Sequence, residues 1–185
     1  IVTLLYFVFS NDVIAQTCKP TLPQAFVNTT YALPSGKTIT VNSGGNLQAA
    51  IDQANLGDII ELQAGATFTG NFILRKKTGS GWIYIRSSKE SALPAPGTRI
   101  TPTDAVNMAK VLSAGQVSAF ATVAGAYNYR LIGLEIGLPT SVNDQFTLVS
   151  FGSGSENKLS DLPNNLIIDR CYIHGNNTGN LKVGV

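Results

Sequence analysis

Short runs of alternating apolar and polar residues, separated by turns rich in Gly, Ser and Asn, recur along most of this chain. This recurrence constrains the fold more than any other feature. In Trp82-Ile-Tyr-Ile-Arg86, alternation puts Ile83 and Ile85 on one face. Tyr129-Arg-Leu-Ile-Gly-Leu-Glu-Ile136 is a second run and Asn165-Leu-Ile-Ile-Asp-Arg-Cys-Tyr-Ile-His174 a third. The last two align at a spacing of 37, Leu134 with Cys171 and Ile136 with Ile173, and Gly137 and Gly175 close them alike. Asp58-Ile-Ile-Glu-Leu62 adds a strand with Ile60 and Leu62 on one face and Glu61 on the other; Ala64-Gly65 ends it, and Phe68 through Leu74 forms the next. Short strands behind turns, with almost no helix, fit an all-β solenoid in which each coil stacks on the last. A sandwich of hairpins is the competing architecture, but it wants tight two-residue turns such as Asn-Gly, and the sequence has none.

One helix is expected, over 46–56. Asn46 can cap it through its side-chain oxygen, Leu47, Ala50, Ile51 and Ala54 form an apolar stripe, and Gly57 stands where a left-handed C-cap belongs. Before it, Pro20, Pro23 and Pro34 make 16–45 an extended lead-in segment. Asp104 to Leu112 reads as loop then strand, because Pro102 and β-branched residues weaken a helix there.

The stretch Gly45-Asn-Leu-Gln-Ala-Ala-Ile-Asp-Gln-Ala-Asn-Leu-Gly-Asp-Ile-Ile-Glu-Leu-Gln-Ala-Gly65 resembles the opening of pectin lyase-like right-handed parallel β-helix proteins, in particular secreted bacterial members. In that family a short amphipathic helix plugs the N-terminal end of the solenoid, and the first strand follows a Gly-Asp turn. The runs at 129–136 and 166–175 look like strands of successive coils, so the resemblance covers about 45–185. It implies a right-handed parallel β-helix with a short N-terminal capping helix. The physics agrees, since a solenoid's first coil exposes core and unpaired backbone that must be covered. Residues 176–185 read as the start of a further strand, so 46–185 is expected to be the N-terminal part of a longer domain.

With 185 residues the chain is sized for one domain, and its 44% hydrophobic content supports a sizeable core. Charged residues make up 13%, about half the usual ~25%. A net charge of +2 generates no field strong enough to draw nucleic acid. The apolar run Ile1–Phe9 is too short to span a bilayer; followed by Ser10-Asn11-Asp12 and Val13-Ile14-Ala15, it reads as most of a secretory signal cut after Ala15, the alternative being a buried strand. The sequence has no initiator Met and no basic segment ahead of this run, so it begins inside the signal. No other segment is apolar enough to cross a membrane, so the expected address is secreted, cell-surface or periplasmic, and the protein monomeric. Cys18 and Cys171 could pair, but two isolated cysteines specify no framework and no metal spacing. Thr17 makes Cys18 a poor lipidation site, and Cys171 reads as a small core hydrophobe.

The resemblance implies chemistry on acidic, pectin-like polysaccharide. Lyases of the family break it by β-elimination, using calcium to neutralise the uronate and a basic side chain to take the carbon-bound proton; hydrolases use paired carboxylates. Leu166-Ile-Ile-Asp-Arg170 is similar to the Val-Trp-Ile-Asp-His motif of one lyase family. Asp169 matches the motif Asp and becomes the candidate metal ligand, while Arg170 stands where the motif has His. Arg170 and the single histidine, His174, are the candidate catalytic groups, provided the strand bends between Asp169 and Arg170, where the apolar phase changes between Ile168 and Cys171. The commoner roles are a turn held by Asp169 and a turn hydrogen bond for His174.

Of the aromatic residues Trp82, Tyr84, Tyr127 and Tyr129, Tyr84 alternates with inward Ile83 and Ile85 and is the candidate substrate-binding residue. Arg75-Lys76-Lys77 could meet an anionic glycan or be a solvated turn. Asn28-Thr-Thr30 and Asn176-Asn-Thr178 are glycosylation sequons, meaningful only in a eukaryotic secretory pathway. Two classes remain: a secreted polysaccharide lyase or hydrolase, and a non-catalytic cell-surface binding or structural solenoid. A cluster of carboxylates with Lys or Arg on one outer face would separate them. None is evident in the sequence, which predicts no lyase or hydrolase activity for these residues alone.

Overall fold

The computed structural model describes residues 33–185. The proposed signal, Cys18, Pro20, Pro23 and the sequon at Asn28 lie outside the described residues. The chain folds into four parallel sheets. The first contains β1 (Thr38–Val41), β2 (Ile59–Leu62), β5 (Ile83–Ser87), β8 (Tyr127–Ile132) and β12 (Asn164–Asp169), in that order. The second orders β3 (Thr67–Thr69), β6 (Ala109–Leu112), β9 (Leu134–Gly137) and β13 (Tyr172–His174). The third orders β4 (Phe72–Leu74), β7 (Phe120–Thr122) and β11 (Val149–Ser150), and the fourth pairs β10 (Asp144–Thr147) with β14 (Asn180–Val183). Every strand pair among the described residues is parallel. From β2 on, the chain visits the first, second and third sheets in turn and returns to the first, and from β10 on it passes through the fourth sheet after leaving the second. The fold is therefore all-β, and its parallel order excludes the hairpin sandwich.

Alternation and register together build the core. Ile39, Ile60, Ile85, Leu131 and Ile168 pair in a row across the first sheet. Phe68, Val111, Ile136 and Ile173 do so across the second, and Phe72, Phe120 and Val149 across the third. The central members are fully buried, whereas Ile168 and Ile173 on the last strands are partly buried. The pairing of Ile136 with Ile173 is the 37-residue alignment anticipated from the sequence.

Positions of positive φ repeat at the same interval. Asn128 and Asn165, near the starts of β8 and β12, hold φ of 59° and 51°, and Asn165 Nδ2 donates to Asn128 Oδ1 at 2.9 Å. Gly133 (φ 60°) and Arg170 (φ 48°) form the next matched pair, at the corners that end these strands. The expected bend between Asp169 and Arg170 is therefore present, because β12 ends there and β13 belongs to another sheet.

Helix α1 (Leu47–Gln53) is capped by Asn46, whose side-chain oxygen accepts from the Ala49 N–H at 2.9 Å. Leu47, Ala50, Ile51 and Ala54 are buried and face β1 and β4, each an edge strand of its sheet. Gln48 completes the cover. Its Oε1 accepts from the Ile73 N–H at 2.7 Å and its Nε2 donates to the Ile73 carbonyl at 3.2 Å, replacing the neighbour that β4 lacks on that edge.

Four local expectations are corrected. Gly57 is not the C-cap, since the helix ends in extended Ala54, whose N–H bonds the Ala50 carbonyl. Gly57 (φ 103°) instead turns the chain into Asp58, whose carboxylate accepts from Lys37 and Asn55 N–H groups at 2.9 Å each. Phe68–Leu74 is two strands in different sheets, broken at Gly70-Asn71, and the run at 129–136 is likewise broken at Gly133. Pro102–Asn107 is a 3₁₀ helix rather than a loop: Pro102 opens it, where a missing N–H costs nothing, and Thr101 with Asp104 forms a capping box.

Asn176 ties the second and fourth sheets together. Its Nδ2 donates to the carbonyls of Pro139 and Val142 at 2.8 Å each, and its Oδ1 accepts from the Gly179 N–H at 2.6 Å. The sequon asparagine is thus fully engaged by its own fold. Asn176→Ala is expected to cost about 2 kcal/mol, read as a lower urea midpoint, because two carbonyls and an amide lose partners together.

Candidate functional site

Alternation on the second sheet turns Lys110 of β6, Glu135 of β9 and Tyr172 of β13 to the outer face in one register row. Leu112, Gly137 and His174 form the next row. Glu135 Oε1 lies 2.8 Å from Lys110 Nζ and 3.0 Å from His174 Nε2. His174 Nδ1 lies 2.6 Å from the Gly175 carbonyl, which can only accept, so this nitrogen carries a hydrogen. Nε2 and Glu135 therefore share a proton-bearing contact. The Tyr172 and His174 rings stack with centroids 4.3 Å apart. Bare Gly137 lies beneath the imidazole, where a Cβ would come within 3.4 Å of it. The side chain of Glu135 is 11% exposed, against 32% for His174 and 40% for Lys110, so an enclosed carboxylate sits between two accessible donors.

A second cluster spans the outer face of the first sheet and the loop after β5. Arg86 binds Glu61 at 2.9 Å and Glu90 at 3.1 Å. Arg170 binds Glu90 at 3.0 Å, Asp169 at 3.1 and 3.2 Å, and the Pro94 carbonyl at 3.2 Å. Burial alone would lower the pKa of the Arg170 guanidinium, but bonds to Asp169 and Glu90 outweigh it and raise it. A group so firmly cationic is no proton acceptor. Arg170, a catalytic candidate from the sequence, thus clamps the 88–94 loop to the sheets through these bonds.

Asp169, the candidate metal ligand, is held in the same cluster. Both of its oxygens face the Arg170 guanidinium, so the calcium ion implied by the family resemblance does not fit there. Among the described residues no group of three or more His, Cys, Asp or Glu is arranged to hold a metal. Tyr84 does face outward, but it is 1% exposed, packed with Ile59, Ile132 and Trp82, with the Arg130 guanidinium 6.0 Å from its ring centroid. It offers no ring face to a sugar. Tyr129 points into the core and donates to the Arg75 carbonyl at 2.8 Å. The basic run turns toward α1: Arg75 pairs with Asp52 at 2.8 Å and Lys77 donates to the Asp52 carbonyl at 2.8 Å.

Of the sequence candidates, only His174 stands in an arrangement suited to proton transfer. Lys110 and Glu135 were not evident as its neighbours, because the strands that carry them are separated from β13 by unequal stretches of chain; Tyr172 lies two residues before His174 on the same strand. Their signal is local: each is the polar or aromatic residue between two inward apolar ones, as Glu135 is between Leu134 and Ile136.

Cys171 sits at the foot of β13, with its Sγ 3.5 Å from the Leu134 nitrogen and from the Leu131 carbonyl. Burial pushes its thiol up to about 12. Alkylation of Cys171 in the folded protein at pH 8 is expected to be on the order of a thousandfold slower than that of a free thiol, with peptide mapping after timed iodoacetamide quenching as the check.

No family model matches this chain, and no curated protein does. Among solved structures, an alginate lyase from Paenibacillus sp. str. FPU-7 is similar, with a TM-score of 0.47 and 21% identity over 74% of this chain. The match covers 44% of that enzyme, so the chain spans less than half its length. No helix among the described residues is long and apolar enough to cross a membrane.

Proposed function

We propose that this chain is an exported, monomeric, glycan-associated protein that acts on acidic, pectin-like polysaccharide by β-elimination, with residues 46–185 wound as a right-handed parallel β-helix. The cyclic order of three parallel sheets supports the winding, and the strong preference of parallel crossovers for one hand supports its sense. Residues 1–15 serve as the export signal and 16–45 as the lead-in to the domain, its last part supplying β1 to the first sheet.

The observation that carries the reaction is the Lys110, Glu135, Tyr172 and His174 group on one outer face. Elimination needs three things at a uronate: a cation to neutralise the carboxylate, an acceptor for the acidified carbon-bound proton, and a donor for the leaving oxygen. Lys110, 40% exposed, meets the first need. Once the proton shared between Glu135 and His174 Nε2 has left to solvent, Nε2 takes the carbon-bound proton, the electron pair enters the new carbon–carbon double bond as the glycosidic C–O bond breaks, and the Tyr172 hydroxyl protonates the departing oxygen. Hydrolysis would call for a pair of carboxylates, and this group has Glu135 alone. Against the sequence-based expectation of inactivity, we read His174 with Glu135 and Tyr172 as an acid–base set, and the assay below decides between the two.

The test is to incubate the full chain with polygalacturonate and with alginate, following absorbance of unsaturated products and then reducing ends. His174→Ala and Tyr172→Phe are each expected to lower turnover by about 10²-fold or more at unchanged melting temperature. No turnover on either polymer overturns the lyase reading in favour of a non-catalytic binding module. That second reading is favoured by the Glu61–Arg86–Glu90–Arg170–Asp169 chain, in which each charge already has a partner.

A further inference from the structure

The fourth sheet carries a surface that the catalytic group does not use. In the pairing of β10 with β14, Gln145 and Leu181 face inward, Gln145 being 6% exposed and Leu181 packed on the core. Alternation therefore turns Asp144, Phe146, Asn180 and Lys182 outward. Phe146 is 67% exposed, and Lys182 Nζ lies 5.6 Å from its ring centroid. Asn180 Nδ2 donates to Asp144 Oδ1 at 3.1 Å, and Gln116 closes one side of the shallow hollow these residues line.

An aromatic ring bared to this extent buries little area and adds little stability in the folded chain. Tyr84 in the first sheet is an outward aromatic that the fold covers; Phe146 is one that it leaves open. Among the described residues Lys182 has no acidic side chain within ion-pairing distance. The C–H face of a pyranose ring carries partial positive charge and suits the negative face of a phenyl ring. The amides of Asn180 and Gln116 suit its hydroxyls, and a free ammonium suits a carboxylate on the same sugar.

We infer that Phe146 and Lys182, with Asn180 and Gln116, form a binding subsite for one uronate unit of an acidic polysaccharide. The subsite rests on the glycan reading above but not on catalysis, since Phe146, Asn180 and Lys182 belong to a different sheet from His174. A polymer is the fitting occupant because a single shallow contact holds one sugar weakly, and a chain that also reaches another site gains effective concentration.

The experiment is affinity electrophoresis of the full chain in gels containing polygalacturonate, alginate or neutral dextran, with Phe146→Ala, Lys182→Ala and Lys182→Arg compared. Phe146→Ala and Lys182→Ala are each expected to weaken binding to the polyuronates by about five- to tenfold, with Lys182→Arg close to wild type. Raising salt should weaken wild type more than Lys182→Ala. Circular dichroism is expected to be unchanged throughout, because both side chains lie on the surface. Retardation of wild type by the polyuronates that both alanine variants retain in full overturns the subsite and leaves the glycan reading standing. Equal retardation by dextran, insensitive to Lys182→Ala, overturns the uronate assignment. No retardation of wild type in any gel overturns both the subsite and the glycan reading.

Discussion

Ile51→Asp is expected to lower the thermal unfolding midpoint by about 10–20 °C, corresponding to a loss of about 5 kcal/mol for a chain of this size. Ile51 is fully buried between α1 and the edge strands β1 and β4, within the stripe of Leu47, Ala50 and Ala54. Removing its methyl groups already costs a few kcal/mol, and a carboxylate in their place must shed water, protonate or force the helix off. Burial raises the pKa of the new acid. The extra loss is therefore small below the ordinary carboxylate range and grows as pH rises through the raised value. Ile51→Val, which keeps the shape, is expected to cost only about 1 kcal/mol. A melting curve for Ile51→Asp that overlays wild type would show that α1 does not protect the edge of the sheets.

Arg170→Gly is expected to cost about 3 kcal/mol, visible as a lower denaturant midpoint at constant slope. The Arg170 side chain is 7% exposed and lies between Asp169 and Glu90, whose side chains are 20% and 17% exposed. Its loss leaves two enclosed carboxylates facing one another. Glycine is the informative replacement because Arg170 holds φ 48°, a left-handed conformation that is strained for arginine and free for glycine. Relief of that strain works against the lost ion pairs, so any net destabilisation is a lower bound on what the clamp contributes. Glu90→Gln in the Arg170→Gly background should recover part of the loss by removing one of the opposed charges. Full stability of Arg170→Gly would contradict the clamp. A loss of turnover in an arginine variant reports on folding first, which makes His174 the better probe of chemistry.

Much of the architecture was legible because alternation is a direct consequence of the strand pleat. Ile60 and Leu62 inward with Glu61 outward, Ile83 and Ile85 inward, and the stripe of α1 all follow from residue order alone. The corner at Arg170 was readable because the apolar positions jump by three from Ile168 to Cys171. The same jump from Leu131 to Leu134 marks Gly133 as its counterpart, an equivalence the sequence contains but single-strand reading passes over. Between Phe68 and Phe72 the phase is preserved, so only Gly70 hinted that two sheets were involved. The site was less legible for a different reason. Lys110, Glu135 and His174 are brought together by register, and register depends on how much chain each corner stores.

That storage has a consequence for what changes the molecule can absorb. Thr38 pairs with Ile59 but Ile83 pairs with Tyr129, so the chain between successive rungs of one sheet varies more than twofold while the rungs stay aligned. Doubling a loop costs only about 0.6 kcal/mol in closure entropy, whereas deleting one residue inside a strand turns every later side chain of that strand to the opposite face. Length variation should therefore collect at corners, and grafted peptides should be accepted there. The turn closed by the Thr98 N–H on the Ala95 carbonyl, with open space around Gly97, is a natural port for such an insertion.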